Sequence, residues 1–198
     1  MTQVSIAALV AAARSGRLVS FPTDTVPALA ACPTATHAIY AAKHRPADKP
    51  LILMAATPGE LWPFVQGSTE EQRCWQQMAA RSWPGAVTLV LPASDRIPPG
   101  LGSQARTIGL RVPQWTLTQI ILQQTGPLAT TSVNESNHPP LLSVAEIQDQ
   151  FPDVLLSQDW PLPTVPEGQP PIPSTVMQWT GGSEWSVLRQ GAARVEIL

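Results

Sequence analysis

Charge is scarce in this sequence. Asp, Glu, Lys and Arg make up only 13% of its 198 residues, about half the usual share of roughly 25%. Twelve basic residues stand against 14 acidic ones, for a formal net charge of −2. That excludes a surface built as a whole to attract nucleic acid, so any anion must be held by a local cluster. Cysteine is nearly absent. Cys32 and Cys74 lie far apart with no C-x-x-C, which excludes a disulfide scaffold and a Cys/His metal site. Both are expected to be buried, reduced thiols; pairing them would require an oxidising compartment. His37, His44 and His138 are too scattered for a triad or a metal site. No serine sits in a nucleophile elbow, and no G-x-x-x-x-G-K-[ST] loop is present to hold a nucleotide. Long apolar runs are missing too. The run over 6–13 is far too short to span a bilayer. Arg14 and Arg17 follow it rather than precede it, the wrong order for a secretory signal. Together these absences predict a soluble, cytoplasmic protein with no membrane partner.

What is present is an ordinary globular composition, 43% hydrophobic, enough for one domain over 1–198 with a sizeable core. The alanine-rich stretch 5–15 reads as a helix stopped by Gly16. Helices are also expected over 34–45 (capped by Thr34 or Thr36), 70–81, 117–124 and 144–150. Strands are expected over 17–21, 51–55, 86–91, 107–112, 128–132, 154–157, 175–179 and 185–189. The proline-rich stretch 160–173 reads as an extended loop. Strands and helices interleave, so the class is α/β with a mixed sheet.

Four segments hold most of the residues able to grip a small anionic ligand, each after or at the end of an expected strand, where α/β ligand sites gather. Pro22-Thr23-Asp24-Thr25 offers two hydroxyls and a carboxylate, which could equally satisfy turn amides. Lys43-His44-Arg45-Pro46-Ala47-Asp48-Lys49-Pro50 gathers three cations within seven residues, in a loop stiffened by Pro46 and Pro50. Arg supplies a bidentate fork for phosphate and Lys a point charge, but a solvated basic turn at a helix C-terminus would look the same. Thr130-Thr131-Ser132-Val133-Asn134 places hydroxyls and an amide after an apolar strand; they suit phosphate or ribose oxygens, or a Ser/Thr turn. The fourth is Arg111, inside the apolar strand TIGLRVP, with the distant Ser174, Thr175 and Arg189. Burying that Arg requires an anionic partner, either a ligand or a structural Asp or Glu.

The segments SFPTDTVPALA, AAKHRPADKPLILM, SWPGAVTLVLP, TIGLRVP, PLATTSVNESN, PSTVMQW and VLRQGA, in this order, resemble the YrdC-type threonylcarbamoyl-AMP synthase family. They run from about Val19 to Ala192. The resemblance implies an open, twisted mixed sheet with flanking helices and a concave basic cleft. It implies condensation of L-threonine, bicarbonate and ATP into threonylcarbamoyl-AMP and pyrophosphate, usually with Mg²⁺, for N6-threonylcarbamoyladenosine modification of tRNA. It places Thr25, Arg111, Thr130 and Ser174 at threonine, and Arg45, Lys49, Thr107, Ser132 and Arg189 at ATP. Lys43 and Asn134 complete the K-x-R and S-x-N signatures; Lys43 and Arg45 are taken as catalytic and Asn134 as nucleotide-binding. The expected partners are the tRNA threonylcarbamoyl-transferase machinery. The extra C-terminal domain of the longer branch is expected to be absent.

Three positions depart from the family pattern. Pro27 and Ala28 replace the Tyr-Gly of PTDTVYGL, and Met54 stands where many members carry His. They point to an alternative, the YciO-type branch, acting as an RNA-binding module with weak RNA affinity or as a carbamoyl-transfer enzyme with another acceptor. Retention of Lys43, Arg45, Ser132 and Asn134 favours the synthase.

Overall fold

The computed structural model describes residues 2–46, 49–98, 101, 106–160 and 172–195. The strands in chain order are β1 (Gln3–Val4), β2 (Val19–Phe21), β3 (Ala28–Ala31), β4 (Ile52–Met54), β5 (Val87–Pro92), β6 (Thr107–Arg111), β7 (Leu128–Ser132), β8 (Leu155–Ser157), β9 (Thr175–Gly181) and β10 (Glu184–Arg189). The helices are α1 (Ile6–Arg14), α2 (Thr36–Ala42), α3 (Thr69–Ser82), α4 (Thr116–Thr125) and α5 (Val144–Gln150). The strands form one mixed sheet in the order β1-β8-β2-β3-β7-β4-β6-β5-β9-β10. β4 runs parallel to β6 and β5 to β9, whereas β7 is antiparallel to both β3 and β4. The sheet is the mixed α/β architecture expected from the interleaved pattern.

Local sequence explains the helix starts. Ser5 caps α1 by accepting from the Ala8 amide at 3.3 Å. Ser68 with Glu71, and Ser143 with Glu146, form reciprocal capping boxes at α3 and α5, satisfying donors that the first turn leaves free. The chain leaves α1 through Gly16 at φ +84°, a conformation that costs glycine nothing.

Strand alternation sorts side chains onto two faces. Leu29, Leu53, Leu89, Leu110, Ala129 and Met177 point into one core, where Ile39 of α2, Trp75 of α3 and Ile147 of α5 meet them. The intervening residues face the other way. At one end of that face, Val19, Phe21, Ala28 and Ala30 pack beneath Leu9 and Val10 of α1 and Ile121 and Leu122 of α4. Over β7, β4, β6, β5 and β9 the same face carries Thr130, Ile52, Gly109, Thr88 and Val176, and these line a pocket. The cleft is the part of the sheet face that α1 and α4 leave uncovered.

The structure departs from the sequence reading in several places, and β1 (Gln3–Val4) is among the elements not expected. β3 was not expected, because Ala28–Ala31 is buried on both faces and shows no alternation. The helix expected over 34–45 is a 3-10 turn at Pro33–Ala35 followed by α2, which ends at Ala42. Its N-cap is Ala35, with no side-chain hydrogen bond, rather than either threonine. Breaking off there frees Lys43 to turn inward and puts His44 at φ +48°. Cys32 and Cys74 are free but only half-buried. Most of the proline-rich stretch, 161–171, lies outside the described residues. Among the described residues, no helix is long and apolar enough to cross a membrane.

Candidate active site

The pocket on the open sheet face has a volume of about 420 Å³. Of the residues singled out by sequence, Arg45, Thr107, Arg111, Thr130, Ser132, Ser174 and Arg189 line it. Three strands, β6, β7 and β10, and two loops bring them together from opposite ends of the chain. Thr25, Lys43, Lys49 and Asn134 stand behind that lining and act on residues that form or border it.

Arg111 is 3% exposed and sits at the end of β6. Its Nη2 donates to Asp24 Oδ1 at 2.6 Å, its Nη1 to Thr25 Oγ1 at 2.9 Å, and its Nε to the Gly85 carbonyl at 3.2 Å. The carboxylate is the structural partner that a buried Arg demands. Burial pulls Arg111 below its ordinary range and the Asp24 charge pushes it back. The pair does not take the guanidinium out of the pocket: Arg111 still lines it, and the described residues engage three of its five N–H donors. Thr25 therefore orients Arg111. Asp24, which the sequence reading left as a turn residue, is its counter-ion.

Lys43 is the second buried cation, at 1% exposure. Its Nζ donates to the Ser132 carbonyl at 2.6 Å, to the Asn134 side-chain oxygen at 3.2 Å, and to the Asn134 carbonyl. Burial, with Arg45 close by, pushes the ammonium down from 10.5 to about 7. The three acceptors act in the opposite sense, because together they use all three ammonium protons. Ser132 Oγ bonds Asn134 Oδ1 at 2.6 Å, and Asn134 Nδ2 donates to the carbonyls of Glu135 and His138, each at 2.7 Å. Lys43 of the K-x-R signature and the S-x-N residues are thus one hydrogen-bonded unit that clamps the end of α2 to the end of β7.

Arg45 reaches the pocket from the basic loop. Its Nε donates to the Lys49 carbonyl at 3.2 Å and its Nη2 to the Pro50 carbonyl at 2.9 Å. These bonds fix the plane of the guanidinium. Lys49 itself points to Asn137 Oδ1 at 2.9 Å. On the far side, Ser174 Oγ and Thr88 Oγ1 are 2.9 Å apart, both buried. Arg189 Nη2 donates to the Ser174 carbonyl at 2.8 Å, and burial lowers its pKa.

Thr88 and Gly109 were missed by sequence reasoning, although each had a signal. Thr88 is a lone hydroxyl in AVTLVL, and Gly109 a lone glycine in a strand, which often marks a close approach. A Cβ at Gly109 would lie 2.8 Å from Ile52 Cγ2 and 3.3 Å from Thr88 Cγ2. Met54, directly beside Arg111 in the β4–β6 register, lines the pocket with Pro27 and Ala28.

Three arginines and several hydroxyls thus surround a concave, partly apolar floor. This is a geometry for a polyanionic ligand with a nonpolar part, fit to neutralise charge and to position rather than to attack covalently. Among the described residues, no cluster of three His, Cys, Asp or Glu could hold a metal ion.

Comparison with known proteins agrees with this picture. The Sua5/YciO/YrdC family model, described as telomere recombination, matches residues 11–191. The threonylcarbamoyl-AMP synthase of Vibrio campbellii is 33% identical over 150 residues, covering 74% of this chain and 80% of that protein. The human threonylcarbamoyl-AMP synthase is 31% identical over 196 residues, covering 96% of this chain and 68% of that protein. Among solved structures, P. abyssi Sua5 complexed with L-threonine superposes with a TM-score of 0.81 at 30% identity, over 94% of this chain and 54% of that one. This chain therefore spans about half the length of that structure. Escherichia coli YciO superposes with a TM-score of 0.79 at 24% identity, over 98% and 92%, a likeness of fold. The chain belongs to the Sua5/YciO/YrdC family and is a homologue of threonylcarbamoyl-AMP synthases.

Proposed function

We propose that this protein is a threonylcarbamoyl-AMP synthase. The amine of L-threonine condenses with bicarbonate, releasing water and leaving a carbamate. A carbamate oxygen then attacks the α-phosphorus of ATP, and pyrophosphate departs with the bonding electrons. Two anions must approach each other, so catalysis is chiefly charge neutralisation and positioning. The observation that carries this reading is the convergence of Arg45, Arg111 and Arg189 on one pocket in a chain otherwise poor in charge. Homology to the synthases supports it.

In this reading Arg111, Thr130 and Ser174 meet threonine, with Thr25 orienting Arg111. Arg45, Thr107, Ser132 and Arg189 meet ATP. Lys43, Asn134 and Lys49 hold that lining in place, since Lys43 is enclosed and Lys49 is turned to Asn137. In this reading Mg²⁺ would arrive with the nucleotide phosphates. The adenylate passes to the tRNA threonylcarbamoyl-transferase machinery.

Purified protein with ATP should form threonylcarbamoyl-AMP and release pyrophosphate only when threonine and bicarbonate are both present. ADP and phosphate as products, or turnover indifferent to threonine, would overturn the proposal. The second reading, a YciO-type paralog, is favoured by Pro27, Ala28 and Met54 lining the pocket. It expects pyrophosphate release with a different amine across an amino-acid panel, or RNA affinity that falls steeply with salt and no synthesis.

A further inference from the structure

The protein has a second basic groove, on the other side of the wall that orients the first site. It lies between the end of α3, the turn at 85–87 and the segment 193–195, and has a volume of about 470 Å³. Arg81 and Arg194 both line it. The carbonyl end of α3 accounts for a cation at Arg81. It does not account for Arg194, which an unrelated segment brings to the same groove. Neither has an acidic partner within ion-pair distance among the described residues. Ser82 also lines the groove; it is 8% exposed, and its hydroxyl is buried without a hydrogen-bond partner. A buried hydroxyl left unpaired costs free energy, and two guanidinium forks suit a tetrahedral oxyanion.

The groove's back wall is a functional part of the fold. Gly85 presents its carbonyl to Arg111 Nε at 3.2 Å, and the Ala86 carbonyl accepts from the Thr175 amide at 2.9 Å. On the opposite rim, the Ala193 carbonyl accepts from Thr175 Oγ1 at 2.5 Å. Thr175 adjoins Ser174, which Arg189 holds. A ligand in this groove would press on the backbone that orients Arg111 and Ser174.

We propose that this groove is a second oxyanion site, taking a phosphate group through Arg81 and Arg194. The site stands independently of the reaction assigned to the front pocket. The test uses full-length Arg189→Ala protein, in which phosphate binding at the front pocket is weakened. Inorganic phosphate is titrated against chloride at matched ionic strength while the melting temperature is followed. The expected result is a saturable rise with phosphate that chloride does not reproduce, and that disappears when Arg81→Gln and Arg194→Gln are added. Should that combined variant fold poorly, Arg194→Gln alone, at an exposed side chain, should raise the half-saturating phosphate concentration at least several-fold. Pyrophosphate and AMP serve as further probes: a lower half-saturating concentration for AMP assigns the phosphate to a nucleotide, and one for pyrophosphate to a free oxyanion. No saturable rise, an equal rise with chloride, or a rise that survives loss of both arginines would overturn the proposal.

Discussion

Replacing Lys43 by Met keeps the length of the side chain and removes its three donors. The lost bonds run to the Ser132 carbonyl and to both oxygens of Asn134. Hydrogen bonds from a charged group contribute about 1.5–3 kcal/mol each, so the gross loss is roughly 5–9 kcal/mol. Burial of the ammonium opposes it. It takes the group from 10.5 to about 7. Lys43→Met should remain net destabilising near pH 7, by about 1–3 kcal/mol, measurable by urea denaturation at constant m-value. The pH dependence carries a second check. Between pH 7 and 10.5 the unfolded chain keeps a proton that folded Lys43 has released. The stability of the wild type therefore rises with pH relative to Lys43→Met, by up to about 1.4 kcal/mol per pH unit. Below pH 7 both states are protonated and the difference is flat. Nucleotide affinity should also fall in the variant, because Ser132 lines the pocket and loses its anchor. A variant as stable as the wild type, with a pH-independent difference and unchanged ATP affinity, would refute the clamp.

Other perturbations follow from the same geometry. Asp24→Ala strands the buried Arg111 charge and should cost about 3–5 kcal/mol in denaturation experiments; a loss under about 1 kcal/mol would show that the pair is not essential. Arg45→Lys keeps the charge but loses the planar fork held by the Lys49 and Pro50 carbonyls. ATP affinity measured by calorimetry should drop roughly 10- to 100-fold, and an unchanged value would make the loop mere surface. Gly109→Ala drives a methyl group against Ile52 and Thr88 and should destabilise by about 1–3 kcal/mol; a neutral result would mean that the pocket floor yields.

The basic loop was legible because three cations stand out in a charge-poor sequence, and Arg111 because an Arg in an apolar strand needs an anion. What that anion is could not be read from the chain. Asp24 lies 87 positions from Arg111, and nothing local distinguishes it from a turn carboxylate. Lys43 and Arg45 looked alike in sequence. They separate because α2 stops at Ala42: Lys43 folds inward to 1% exposure, and Arg45 remains at the pocket.

The sequence by itself determined the local units. Serine caps with glutamates set the starts of α3 and α5, glycine ended α1, and alternation built most strands with one apolar face each. Those are short-range matters of backbone donors, allowed dihedral angles and side-chain period. Only the tertiary structure decided strand order, the coverage of one sheet face by α1 and α4, and the bare area left as a cleft. It also decided which polar groups touch a ligand and which hold those that do. Those outcomes depend on contacts between residues far apart in the chain. Burial and dielectric, which set the charge of Lys43 and the need of Arg111 for a partner, exist only once the sheet has closed around them.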